Sequence, residues 1–191
     1  LSQAFDARGV AHTVTREPGG TPLAEKVRGL ALEPPGERPL SPLAMALLMN
    51  AARADHLEQL IVPRLSEGQH VICDRFADST IAYQSAEGGI SLPALMTLQT
   101  LVLGDLAPDL TLLLDADPRD LLARREQRGG SLDVFESRGL AFHDRVREAF
   151  LEIARNNPDR VVVLDARQSA DALCVEALDA IARTRSGREK T

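Results

Sequence analysis

His70-Val-Ile-Cys-Asp74-Arg75-Phe-Ala-Asp-Ser79-Thr80-Ile-Ala-Tyr83-Gln84 is the stretch whose reading decides the fold. A short apolar run ends in an adjacent acid and base, and a helix start crowded with hydrogen-bonding side chains follows. Strand-then-helix is the unit of an open parallel sheet, whose ligand chemistry lies at the carboxyl ends of the strands beside helix N-termini. Asp74-Arg75 falls at that point. Ser79, Thr80, Tyr83 and Gln84 are spaced so that several can share one helix face. The plainer reading is a strand-end ion pair beside a polar helix cap.

The flanking sequence repeats the alternation. Val10 to Thr15 is β-rich and ends in Arg16-Glu17-Pro18-Gly19-Gly20-Thr21-Pro22, where Pro-Gly-Gly is turn chemistry and Thr21-Pro22 is an N-cap and N1 pair. After a proline-rich loop, Ser41-Pro42 opens a long helical segment from Leu43 to about Leu65. Its apolar stripe includes Met45, Leu48, Met49, Ala52, His56 and Leu57, and Pro63 should kink it or start a new turn. Gly88-Gly89 turns into an amphipathic helix over residues 92–103. Leu110 to Asp115 and Arg160 to Asp165 are continuous apolar runs of the kind buried on both faces of a sheet. Asp117-Pro118 starts a helix that runs to Arg128 and breaks at Gly129-Gly130. Residues 131–139 are polar and poorly periodic, and helices follow around Phe142 to Ile153 and Ala170 to Arg183.

Strands alternating with helices predict a doubly wound α/β fold with a parallel sheet, in a single domain spanning residues 1–191. Four strands are visible. Leu1 to Gly9 reads as the last turns of a helix closing on a glycine, so a further strand is expected upstream of it.

Composition narrows the function classes. Apolar residues make up 44% and charged residues 26%, an ordinary globular balance. The absence of Trp, an aromatic share of 3% and a net charge of −6 disfavour a nucleic-acid partner. No apolar run approaches the ~18 residues of a membrane span, and no signal peptide opens the sequence, so a cytoplasmic protein with no membrane partner is expected. Cys73 and Cys174 lack metal-ligand spacing and read as buried thiols.

The ordered set Arg16-Glu-Pro-Gly-Gly-Thr21, Ala51-Ala52-Arg53, Asp74-Arg75-Phe76, Ser79-Thr80-Ile-Ala82-Tyr83-Gln84 and Pro108-Asp109-Leu-Thr-Leu-Leu-Leu-Asp115 closely resembles bacterial thymidylate kinase from end to end. The resemblance implies a P-loop NTPase-like nucleoside-monophosphate kinase. Such an enzyme transfers the γ-phosphoryl group of ATP to dTMP with Mg²⁺, usually as a homodimer with a five-stranded parallel sheet. The family's first strand and its Gly-x-x-x-x-Gly-Lys-[Ser/Thr] loop, which cradles the ATP phosphates, do not occur in these 191 residues. The expectation is that roughly 20–25 further residues belong to the parent protein, and that loss of a central strand leaves two half-sheets with unpaired inner edges.

Phosphoryl transfer calls for charge neutralisation and alignment rather than covalent help. Arg75 is the candidate for the dTMP phosphate, because a guanidinium grips phosphate oxygens bidentately; its bland alternative is a salt bridge. Asp74 would orient Mg²⁺ through water. The resemblance places Arg53 at the thymine edge and Met49 where the family stacks a Phe on the base. A thioether can pack on an aromatic face, with a looser hold. Thr80 and Gln84 are implied to hydrogen-bond the pyrimidine and Tyr83 to pack near the sugar, against a cap for Thr80 and an exposed helix position for Gln84. Arg28, more than Arg16, is implied as a phosphate contact, and Glu17-Pro18 as a cis peptide. Arg124, Arg125 and Arg128 form the basic end of a lid spanning about 124–139. Arg124 and Arg128 would face ATP, with Arg128 stabilising charge on the transferring group like an arginine finger. The family's lid Asp-Arg reads Asp133-Val134 here, one arginine fewer. Asp115 and Asp165 read as structural caps.

Two other readings stay open: another P-loop nucleotide kinase, and a non-catalytic nucleotide-binding or dimerising module.

Overall fold

The computed structural model describes residues 1–36, 38–122 and 138–188. Its strands form two parallel ribbons. β1 (His12–Arg16) pairs with β2 (His70–Asp74), with His12 opposite His70 and Arg16 opposite Asp74. β3 (Thr111–Asp115) pairs with β4 (Val161–Asp165) in the register Thr111 to Val161 through Asp115 to Asp165. The ribbons do not hydrogen-bond to each other. A cleft of about 1310 Å³, lined by residues of β2 and β3 together with Phe5, Leu57 and Phe150, lies between them. The parallel α/β architecture is present, while the single continuous sheet is not formed by the described residues.

This arrangement corrects one expectation. Apolar strands are buried on both faces only where helices cover both sides, and here Leu114 is 57% and Val163 45% exposed. A two-stranded ribbon leaves a face open however apolar its sequence.

A short helix, α1 (Ser2–Asp6), precedes β1, and local sequence sets the helix starts that follow. Thr21 caps α2 (Pro22–Leu32) by accepting the Ala24 N–H at 3.2 Å, and Ser41 caps α3 (Pro42–His56) by accepting that of Ala44 at 3.2 Å. At the predicted kink the chain widens into a π-helical turn, Leu57–Ile61, in which the Val62 N–H reaches back to the Leu57 carbonyl. The wider turn accommodates Pro63, which lacks an N–H and would crowd a tighter one, in the following short helix α4 (Val62–Ser66). α5 covers Ala77–Glu87 and α6 Leu92–Leu103. A helix begins again at residue 118, and the helices Leu140–Asn156 and Ala170–Arg188 complete the described chain.

Two clusters hold the site in place. Ala24 and Val27 of α2 pack on Ala52 of α3, with Leu48 against them. Ala82 and Ala86 of α5 receive Phe142 and Val146 of the 140–156 helix, the small alanines letting the ring approach closely. Arg160, just before β4, ties that ribbon to α5 through Asp78, at 2.8 and 2.9 Å. Cys73 and Cys174 are free and only half-buried, less sheltered than expected. No described helix is long and apolar enough to cross a membrane.

Candidate active site

The carboxyl ends of β1 and β2 bring two motifs together. Arg16 sits opposite Asp74, and the Glu17 N–H donates to the Asp74 carbonyl at 2.9 Å, so the Arg16-Glu-Pro-Gly-Gly-Thr21 turn lies against Asp74-Arg75. Glu17-Pro18 is cis. Gly20 has φ +88°, and a Cβ there would lie 2.5 Å from Thr15 Oγ1 and 2.6 Å from His56 Nε2. Only glycine fits that close approach.

Arg75 takes φ +65°, alone among the described non-glycine residues in having a positive φ. Such a backbone is sparsely populated, costs roughly 1–3 kcal/mol and clusters at ligand clamps. Its guanidinium lies 5.3 Å over the Tyr83 ring and donates to the Tyr83 hydroxyl at 3.2 Å. Tyr83 is in turn held edge-on by Phe142 and Phe150, at 6.2 and 6.3 Å. The charge is therefore aimed by a fixed ring and remains exposed, as anion binding requires.

Arg53 is the opposite case, 2% exposed on α3. Its Nε donates to Glu17 Oε2 at 2.8 Å, Nη2 to Thr80 Oγ1 at 2.9 Å and Nη1 to Gln99 Oε1 at 3.3 Å. The guanidinium also lies 5.3 Å over the Phe76 ring. Glu17 is 6% exposed, and its second oxygen lies 3.1 Å from His56 Nδ1. A buried carboxylate is tolerated because a cation and an imidazole share it.

Most residues expected at the site converge here. Met49 is half-buried and borders a small cavity of about 30 Å³ with Glu17, Pro18, Arg53, Arg75 and Thr80. Thr80 is buried and bonded to Arg53; Phe76 holds the cap position of α5, so the cap reading for Thr80 falls. Gln84 is 2% exposed rather than solvent-facing, and its Oε1 has no hydrogen-bond partner among the described residues. Arg28 reaches the turn, donating to the Pro18 carbonyl at 3.2 Å. Arg16 instead pairs with Glu25 at 3.0 Å on the surface. The Gly20 N–H and Arg16 together hold the Glu25 carboxyl below the usual carboxylate range.

Asp74 ends β2 with an exposed side chain. Among the described residues no three acidic, His or Cys groups gather to hold a metal ion. Asp115 accepts both Nε and Nη2 of Arg147, at 2.7 and 2.8 Å, and Asp165 binds Arg167, so both act as strand-end anchors. Arg124, Arg125, Arg128 and Val134 lie outside the described residues. Sequence reasoning did not select Glu17, His56, Phe76, Asn50 or Gln99 as site residues. The available signals were an acid before a Pro-Gly-Gly turn and a lone histidine in an apolar helix stripe.

Paired parallel strand ends place a turn and a positive-φ arginine beside a buried Arg–Glu pair, the strand-end position at which open α/β sheets bind ligands. The family model for thymidylate kinase matches residues 1–176. A thymidylate kinase of Pseudomonas fluorescens (strain SBW25) is 48% identical over 184 residues, covering 96% of this chain and 86% of the relative. One from Deinococcus radiodurans is 46% identical over 181 residues, covering 95% and 86%. The crystal structure of thymidylate kinase from Ehrlichia chaffeensis superposes with a TM-score of 0.70 at 34% identity, covering 95% of this chain and 85% of that one. The chain belongs to the thymidylate kinase family.

Proposed function

We propose that this chain binds dTMP as phosphoryl acceptor at the Glu17–Arg53–Arg75–Thr80 site. The reaction is that of its family, transfer of the ATP γ-phosphoryl group to dTMP to give dTDP. The observation that carries the assignment of the site is the pairing of one buried and one exposed guanidinium across a single small cavity. Arg75, exposed and braced by Tyr83, suits a phosphate; Arg53, buried and fixed by Glu17, suits a neutral ring edge. Met49 and Phe76 supply the apolar wall for the base, Thr80 and Gln84 its polar edge, and Arg28 backs the phosphate.

Asp74 fits Mg²⁺ held through water and substrate phosphates, which needs a single protein carboxylate; that ion would offset phosphate charge. Arg124 and Arg128 serve ATP, Arg128 by neutralising charge on the transferring group. Among the described residues β2 and β3 each leave one edge unpaired, which suits pairing with a further strand. In this reading residues 1–191 form one domain, and the lid expected at about 124–139 lies largely outside the described residues. Leu43 and Leu47 of α3 and Leu92, Met96 and Leu101 of α6 are exposed, Leu101 at 79%, and these uncovered apolar side chains support a homodimer. The compartment in this reading is the cytoplasm.

A thermal-shift titration with dTMP, dCMP and dAMP addresses the acceptor site alone, since binding raises the melting temperature. dTMP should give the largest rise; equal rises for all three would remove the assignment.

A further inference from the structure

We propose that His56 is a positioning residue for base selection, acting through Glu17 on the direction of the Arg53 guanidinium. The inference rests on the dTMP reading above. His56 is wholly buried on α3, one turn after Arg53. With its proton on Nδ1, the imidazole donates to Glu17 Oε1 at 3.1 Å and accepts at Nε2 from the Thr15 hydroxyl at 2.7 Å. Thr15 lies on β1 and Glu17 just beyond its end, so His56 joins strand, turn and helix. Gly20 lies beside the same ring, where an added Cβ would come within 2.6 Å of Nε2.

With one carboxylate oxygen fixed by His56, the other meets Arg53 Nε at 2.8 Å and sets the plane of the guanidinium. Nη2 then points at Thr80, on the cavity wall. An arginine has donors and no acceptor. Held in this plane it favours a pyrimidine with a carbonyl at C4 and opposes one with an amino group there, because N–H would meet N–H. Without the imidazole, Glu17 is free to turn and the donor fork turns with it. The discrimination falls while the charge and the pocket residues stay.

The experiment titrates the 191-residue chain by calorimetry with dTMP and with 5-methyl-dCMP, which differ only at the C4–N3 edge. It uses wild type and the variants His56→Leu, His56→Asn and Thr15→Val. An asparagine amide nitrogen can take the Nδ1 place and keep the bond to Glu17. Expected is a fall in the affinity ratio of about tenfold in His56→Leu, recovery to within about threefold of wild type in His56→Asn, and an intermediate fall in Thr15→Val. Thr15→Val leaves Glu17, Arg53 and His56 in place and decides the matter if His56→Leu does not fold. Melting temperatures that drop while the ratio stays at the wild-type value in all folded variants would make His56 merely structural and overturn the inference. Wild type that binds neither nucleotide would overturn the acceptor-site reading itself, and the inference with it.

Discussion

Arg53 Nε donates to Glu17 Oε2 at 2.8 Å across 36 residues of sequence, and both side chains are almost fully buried. Through this pair the end of β1 and the last turn of α3 become one wall of the site. Removing one member of a buried pair costs roughly 3–5 kcal/mol, because the other charge is left without compensation. Glu17→Gln should lose about that much in denaturant unfolding and bind dTMP about tenfold more weakly. Unfolding free energies within 1 kcal/mol of wild type would show that solvent reaches the pair.

Arg75→Ala should weaken dTMP binding by roughly 10- to 100-fold, the loss of a charge-assisted phosphate contact. Thymidine, which has no phosphate, should bind both forms equally. A parallel loss for thymidine would place Arg75 against the base or the fold instead.

Met49→Phe should tighten dTMP about three- to tenfold, since an aromatic pair adds roughly 0.5–1.5 kcal/mol beyond its buried area. Calorimetry showing unchanged or weaker binding would remove Met49 from the base wall.

Asp115 supplies a pH-dependent contribution. Arg147 holds its carboxyl below the usual range, so the folded state favours the ionised form. That stability is present above the unfolded value of about 3.9 and is lost as pH falls through it towards the lower folded value. Arg147 is partly exposed, so the bond contributes only about 1 kcal/mol. Urea melts of wild type and Asp115→Asn should differ by that amount at pH 7, and the difference should shrink as pH falls below about 3.9.

Features fixed by neighbours along the chain were legible in the sequence. Thr21-Pro22 and Ser41-Pro42 announce their helices because the cap bond spans three residues. Asp74-Arg75 announces a strand end facing a helix start because it follows an apolar run and precedes a polar helix start. Features fixed by distant partners were not. His56 looked like one more member of an apolar stripe, since nothing local shows that Glu17, 39 residues earlier, will share its ring. Leu110 to Leu114 looked doubly covered, since apolarity reports the covering a strand can accept and not the helices that reach it. Spacing and resemblance together single out Met49, Arg53, Arg75, Thr80 and Tyr83 as candidates, and the polar cluster around Arg53 emerges only from the fold.

Calorimetric titration of the 191-residue chain with dTMP, in wild type and Arg53→Met, bears most directly on the acceptor site. A single saturable site in wild type, weakened at least tenfold by Arg53→Met in a chain that still melts cooperatively, is the predicted result. Saturable binding of equal strength in the two chains, or no binding to wild type, would contradict it.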